Sequence, residues 1–136
     1  MRFTLDERLA ADTTGILEFE LSSVRLMRDA HYPWIILVPR RDGMVELTDL
    51  SPADRHRLMD EIATTVDALK AETQCQKVNV AAIGNIVRQL HVHVVARNSN
   101  DPAWPGPVWG RHPPHPYRPE DEAALITRLR ARLANE

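Results

Sequence analysis

The sequence predicts an α+β domain built on an antiparallel sheet. Three observations carry this. Segments with apolar residues at period two lie on both sides of one long helical pattern, so strands, helix and strands follow in order. WIILVP, residues 34–39, is a nearly continuous apolar run of strand length. Seven of the ten prolines fall between 102 and 119, a segment that cannot enter a helix or a central strand.

Each element has its own warrant. LDERLAADT has a weak helical pattern worth one or two turns. ILEFELSSVRLM reads as two short strands, with Ser22-Ser23 as the turn between them. WIILVP, ended by proline, reads as a central strand buried on both faces. RRDGMVELTD is a loop, and the best helix start follows it. Ser51 is the N-cap, Pro52 takes the first helical position and Asp54 the acidic capping role. Leu58, Ile62, Val66 and Leu69 then form one apolar stripe through about residue 73. KVNVAAI and VRQLHVHVVA are strands around Gly84-Asn85.

The proline-rich segment contains Trp104, Trp109 and Tyr117, so it must pack on something. A last helix begins near Pro119, with Glu120, Asp121 and Glu122 at its start and Arg128, Arg130 and Arg132 in its second half. The expected organisation is a domain over 1–101 and an extension over 102–136.

Composition narrows the function classes. Of 136 residues, 43% are hydrophobic and 26% charged, which suits one globular core. A formal net charge of −2 argues against a whole-surface nucleic-acid binder. Cys75 is the single cysteine, so no internal disulfide forms. The first fifteen residues carry charges where a secretory leader has its apolar core, and WIILV is too short to span a bilayer. A cytoplasmic protein without membrane or nucleic-acid partners is expected.

RQLHVHVVAR, residues 88–97, raises the functional question. On a strand, Leu90, Val92 and Val94 share one face and Gln89, His91 and His93 the other. An amphipathic strand with its polar side in water is one reading. Imidazoles and amides also bind phosphate or metal, move protons or attack electrophiles. His91 and His93 could chelate one zinc ion, but Cys75 is isolated, HExxH is absent, and His112 and His115 in HPPH read as loop residues, so no metal site is expected. GxSxG and glycine-rich phosphate loops are also absent. The remaining chemistry is a neutral imidazole attacking phosphorus to give a phosphoramidate.

RQLHVHVVAR resembles the signature of the histidine triad (HIT) family, His-φ-His-φ-His-φ-φ, with Gln89, His91 and His93 at the three polar positions. WIILVPRR resembles the family's apolar strand with its proline and basic residues, and ELTDLSPADR its loop into the long helix. The resemblance spans residues 15–101. It implies an antiparallel sheet with one long helix, paired in a homodimer. It also implies attack by His91 on the α-phosphate of a nucleoside phosphoester, phosphoramidate or dinucleoside polyphosphate, with His93 holding phosphate oxygens and no cofactor. Asn79, Asn85, Arg97 and Asp29 are the implied substrate contacts. For Arg97 a solvated strand end is the alternative, for Asn79 a turn, and Leu26 and Met27 are explained by packing. Trp104 and Trp109 are expected along the dimer surface, beside the partner's nucleophile.

Three departures from the pattern bear on substrate and rate. Gln89 replaces the first histidine, Ile86 removes a hydroxyl that relatives use on phosphate, and Thr48 stands where many relatives have a histidine. If position 89 only fixes geometry, Gln89→His keeps or raises activity, and this outcome is the expected one. A required amide contact would instead cost about 1–3 kcal/mol. A nucleotide-binding sensor without turnover is the rival reading, and a metal-binding regulator a third.

Overall fold

The computed structural model describes residues 3–134. Its elements are α1 (Glu7–Asp12), β1 (Thr13–Glu18), β2 (Ser22–Met27), β3 (Trp34–Pro39), α2 (Pro52–Thr73), β4 (Lys77–Ala81), β5 (Val92–Arg97) and α3 (Pro119–Leu133), with a 3-10 turn at Leu47–Asp49. The strands form one antiparallel sheet in the order β1-β2-β3-β5-β4. This is the α+β architecture the sequence predicts. Among the described residues, no helix is long and apolar enough to cross a membrane.

β3 is central, and all six of its residues are buried. Its pleat divides them between two clusters. Ile35 and Leu37 join Val24, Leu26, Val92 and Val94 beneath α2 and α3. Trp34, Ile36 and Val38 join Leu9, Tyr32, Val95, Ala103 and Val108 on the opposite face. A continuous apolar run is what burial on both faces requires.

α2 follows its sequence signals closely. Ser51 accepts a hydrogen bond from the Asp54 N–H at 3.1 Å, Pro52 starts the helix, and Gln74 closes it in the left-handed region at φ 50°. The β1–β2 hairpin is registered differently from expectation. Ser22 and Ser23 lie inside β2, and the turn occupies 19–21, closed by the Phe19 N–H donating to the Ser22 carbonyl. The backbone N–H groups of Leu21 and Ser22 donate to the Glu61 carboxylate at 2.9 and 3.0 Å, so α2 itself holds this turn.

The tail packs as part of the same body. Leu129 and Leu133 of α3 are fully buried in the cluster that contains Val24 and Val94. Arg128 and Arg132 donate to Glu72 of α2, and the Arg130 side chain donates to the Ile16 carbonyl. Ala103 and Val108 of the proline-rich arm are buried against Trp34 and Val95. Packing therefore runs without a break across the expected boundary at residue 101.

Arg97 fixes where the arm begins. Its side chain is 2% exposed and pairs with both oxygens of Asp101, at 2.7 and 3.1 Å. It also donates to Asn79 Oδ1 at 2.7 Å and to the Gly106 carbonyl at 2.8 Å. Burial alone would raise the Asp101 carboxyl, but Arg97 and the N–H groups of Asn98, Ala103 and Trp104 hold it below the usual carboxylate range. Removing one partner of such a pair strands the other charge without water. Arg97→Ala is therefore expected to cost about 3–5 kcal/mol in chemical denaturation, and a loss under about 1 kcal/mol would show the pair to be dispensable.

Candidate active site

The site forms where β5 begins. β5 starts at Val92, later than the expected strand, because its partner strand runs out. Leu37 pairs with Val92, and β3 ends at Pro39, which has no N–H to continue a ladder. Leu90 N–H donates instead to the Met44 carbonyl at 3.0 Å. His91 thus stands at the strand entrance and His93 within the strand, opposite Ile36 and Ala81. Both rings are buried, 7% and 6% exposed, with centroids 4.9 Å apart and nearly perpendicular. A polar strand face in water is excluded for these two residues.

Their hydrogen bonds assign the protons. His91 Nδ1 lies 2.7 Å from the Gln89 carbonyl. A carbonyl only accepts, so His91 carries its proton on Nδ1 and, when neutral, its lone pair on Nε2. At His93 the order reverses. The Trp34 indole N–H donates to His93 Nδ1 at 3.0 Å, which leaves the proton of the neutral ring on Nε2. Burial, with a smaller contribution from His91, pushes His93 down to about 3 from 6.5, so it cannot readily become a cation. One imidazole therefore offers a nucleophile and its neighbour a fixed donor.

Both rings line a cavity of about 440 Å³. Arg8, Leu9 and Asp12 of α1, Met27, Asp29, Trp34 and the loop 83–87 form its other walls, and Val108, Trp109, Gly110, His112 and Pro114 close it from the arm. A second cavity of about 270 Å³ shares Ile83, Gly84 and His91 and adds Thr48, Arg88 and Gln89. His91 stands between the two. Gly84 sits at φ +64°, a turn that lets this dividing loop double back beside His91.

The implied contacts separate. Asn85 and Asp29 line the larger cavity. Asp29 is 4% exposed, and three contacts converge on its Oδ1: His31 N–H at 3.0 Å, His31 Nδ1 at 2.6 Å and His115 N–H at 3.2 Å. Asn79 and Arg97 line neither cavity; they bond each other, and Arg97 also bonds the arm. Trp109 lies against His93 and Trp34 of its own chain, at 5.3 and 6.1 Å between centroids. Its buried indole N–H has no acceptor among the described residues. Trp104 is 38% exposed and covers the Arg97 guanidinium. His112 also departs from the surface-loop reading, since it lines the cavity and bonds the Tyr32 hydroxyl at 3.0 Å.

Sequence reasoning missed Arg8, Asp12 and the Trp34 donor. No local pattern marks them, because each meets the site across a long span of chain. The His93 assignment has a pH signature. A group whose folded pKa is depressed contributes stability that is present above its unfolded value and is lost as pH falls toward the folded value. The window here runs from 6.5 down to about 3. On acidification to about pH 4, the His93 ring is expected to stay neutral in nitrogen NMR while global stability declines. A ring that titrates near 6.5 would refute the assignment.

Comparison with known proteins shows the family and the fold. The HIT domain model matches residues 8–100. A histidine triad protein from Bradyrhizobium japonicum superposes with a TM-score of 0.96 at 44% identity, over 98% of this chain and 99% of that one. One from Marinobacter aquaeolei VT8 gives 0.97 at 44% identity, over 99% and 98% of the two chains. One from Sinorhizobium meliloti 1021 gives 0.94 at 45% identity, over 96% of each. Among curated proteins no match is found. With its model covering more than half the sequence and its fold repeated in these relatives, the chain belongs to the HIT domain family.

Proposed function

We propose that this protein is a nucleotide hydrolase or nucleotidyl transferase that works through a covalent nucleotidyl-His91 intermediate. The family generally acts on nucleotides. The observation that carries the finer reading is the opposed tautomers of His91 and His93 at the edge of one cavity. His91 Nε2 attacks the α-phosphorus of a nucleoside phosphoester, phosphoramidate or dinucleoside polyphosphate. The bond to the leaving group breaks, and the leaving group departs with the electron pair. Water or another acceptor then attacks the phosphoramidate, loses a proton, and releases the nucleotide from His91.

The surroundings support this division of labour. His93 Nε2–H donates to a non-bridging oxygen as charge develops on it. The nucleoside occupies the larger cavity. There Asp29 accepts from ribose hydroxyls through Oδ2, and Asn85 contacts phosphate. The leaving group occupies the smaller cavity beside Thr48 and Arg88. Asn79 and Arg97 serve the site by holding its wall. His91→Ala should abolish turnover by at least about a thousandfold, since the unprotonated Nδ1 of the neighbouring His93 is already occupied by the Trp34 N–H. His93→Ala should cost about a hundredfold by removing one donor. A nucleotide panel assayed with both variants tests this. Residual turnover in His91→Ala equal to that of His93→Ala would overturn the roles, and tight nucleotide binding without turnover in the native protein would favour the sensor.

A homodimer belongs to the same proposal. β4 is an edge strand, with Val80 at 47% exposure and Ile83, Ile86 and Leu47 exposed near it. Pairing this edge across a two-fold axis covers both its backbone and its apolar side chains. Sedimentation should give a dimer at micromolar concentration, and Val80→Lys should shift it toward monomer. A native monomer at that concentration would sink the assembly.

A further inference from the structure

Gln89 stands where the family pattern has its first histidine, yet both polar atoms of its amide are taken by the N-terminal backbone. Oε1 accepts from the Asp6 N–H at 2.8 Å, and Nε2 donates to the Thr4 carbonyl at 2.8 Å. A carboxamide holds one acceptor and one donor side by side in a plane, which suits an extended segment presenting a carbonyl and, two residues on, an N–H. The two nitrogens of an imidazole diverge and cannot make this paired contact from one side.

What the clamp holds is a wall of the larger cavity. Asp6 is the N-cap of α1: its carboxylate accepts from the Arg8 N–H at 2.8 Å and its carbonyl from the Ala10 N–H at 2.9 Å. α1 has six residues, too few to persist without an external anchor. It nevertheless presents Arg8, Leu9 and Asp12 to the cavity, with Leu9 4% exposed against the Trp34 cluster. The Gln89 carbonyl meanwhile accepts from His91 Nδ1. One residue thus joins the nucleophile on its main chain to the cavity wall on its side chain.

We infer that Gln89 is a positioning residue: its amide latches residues 4–6 and so sets the α1 wall, governing nucleotide affinity without touching phosphate. The inference takes its ligand class from the proposed function, while the latch is read independently of it. Gln89→His then behaves as a loss of the latch, contrary to the outcome favoured from sequence.

The test uses substitutions in the full chain. Asp6 has φ −54°, which proline can adopt, so Asp6→Pro deletes the N–H that Gln89 accepts. Asp6→Ala deletes only the cap and serves as the control. Gln89→Ala, Gln89→His and Asp6→Pro should each raise KM about tenfold with kcat changed less than about threefold. Each should speed amide exchange across residues 8–12. Asp6→Pro lacks both the cap and the N–H, so adding Gln89→Ala to Asp6→Pro should be no worse than Asp6→Pro alone, whereas Gln89→Ala combined with Asp6→Ala should be worse than either single change. Weakened binding of adenosine monophosphate with unchanged exchange in α1 would show Gln89 touching the ligand and overturn the latch. So would independent, multiplying effects of Gln89→Ala and Asp6→Pro. Should the native protein bind no nucleotide, the proposed function fails, and the exchange measurements still decide the latch.

Discussion

The pleat of β5 sends Val92, Val94 and Ala96 into the core under the helices, and His93, Val95 and Arg97 to the opposite face. Everything chemical in this protein is built on that second face. Because the first set is buried against α2 and α3, the strand cannot slip by one residue without exchanging a packed core for a titratable ring and a guanidinium. The site is therefore held in register by hydrophobic burial and not by its own polar contacts.

From this face the proline-rich arm is captured by two charged residues. Arg97 binds Asp101 and the Gly106 carbonyl, and Asp29 binds the His115 N–H. Between those anchors the arm lays Ala103 and Val108 on the sheet and brings Trp109 to His93. Proline limits the conformations the unfolded arm can sample, which reduces the entropy lost on capture. These two polar anchors and the apolar contacts between them order a segment that forms no helix or strand. The same two residues had looked like substrate contacts, and one of them, Arg97, is fully occupied as a support.

The histidines show how a low-dielectric site can separate two identical side chains. His91 faces a carbonyl and His93 faces an indole N–H, and this difference alone assigns opposite tautomers. Burial then keeps His93 neutral, so its donor is retained without a positive charge that would compete with His91. A free ring nitrogen on one imidazole and a donor on the other follow from one backbone and one side-chain partner.

Much of this was legible in one dimension. Period-two alternation at 88–97, the apolar run of β3, and the Ser51-Pro52 start of α2 are local patterns, and local patterns record which face of an element is buried. The pair His91 and His93 was legible for the same reason, since two residues apart on a strand means one face. The proton positions were not, because Trp34 and the Gln89 carbonyl act through space on rings whose sequence context is silent about partners. The two-sided role of Gln89 was hidden too: its amide meets Thr4 and Asp6 more than eighty residues away, a contact that only chain closure creates. Sequence by itself determined the faces, because burial is periodic along the chain. Tertiary structure decided the partners of each polar atom, because hydrogen bonds join whatever the fold brings within about 3 Å.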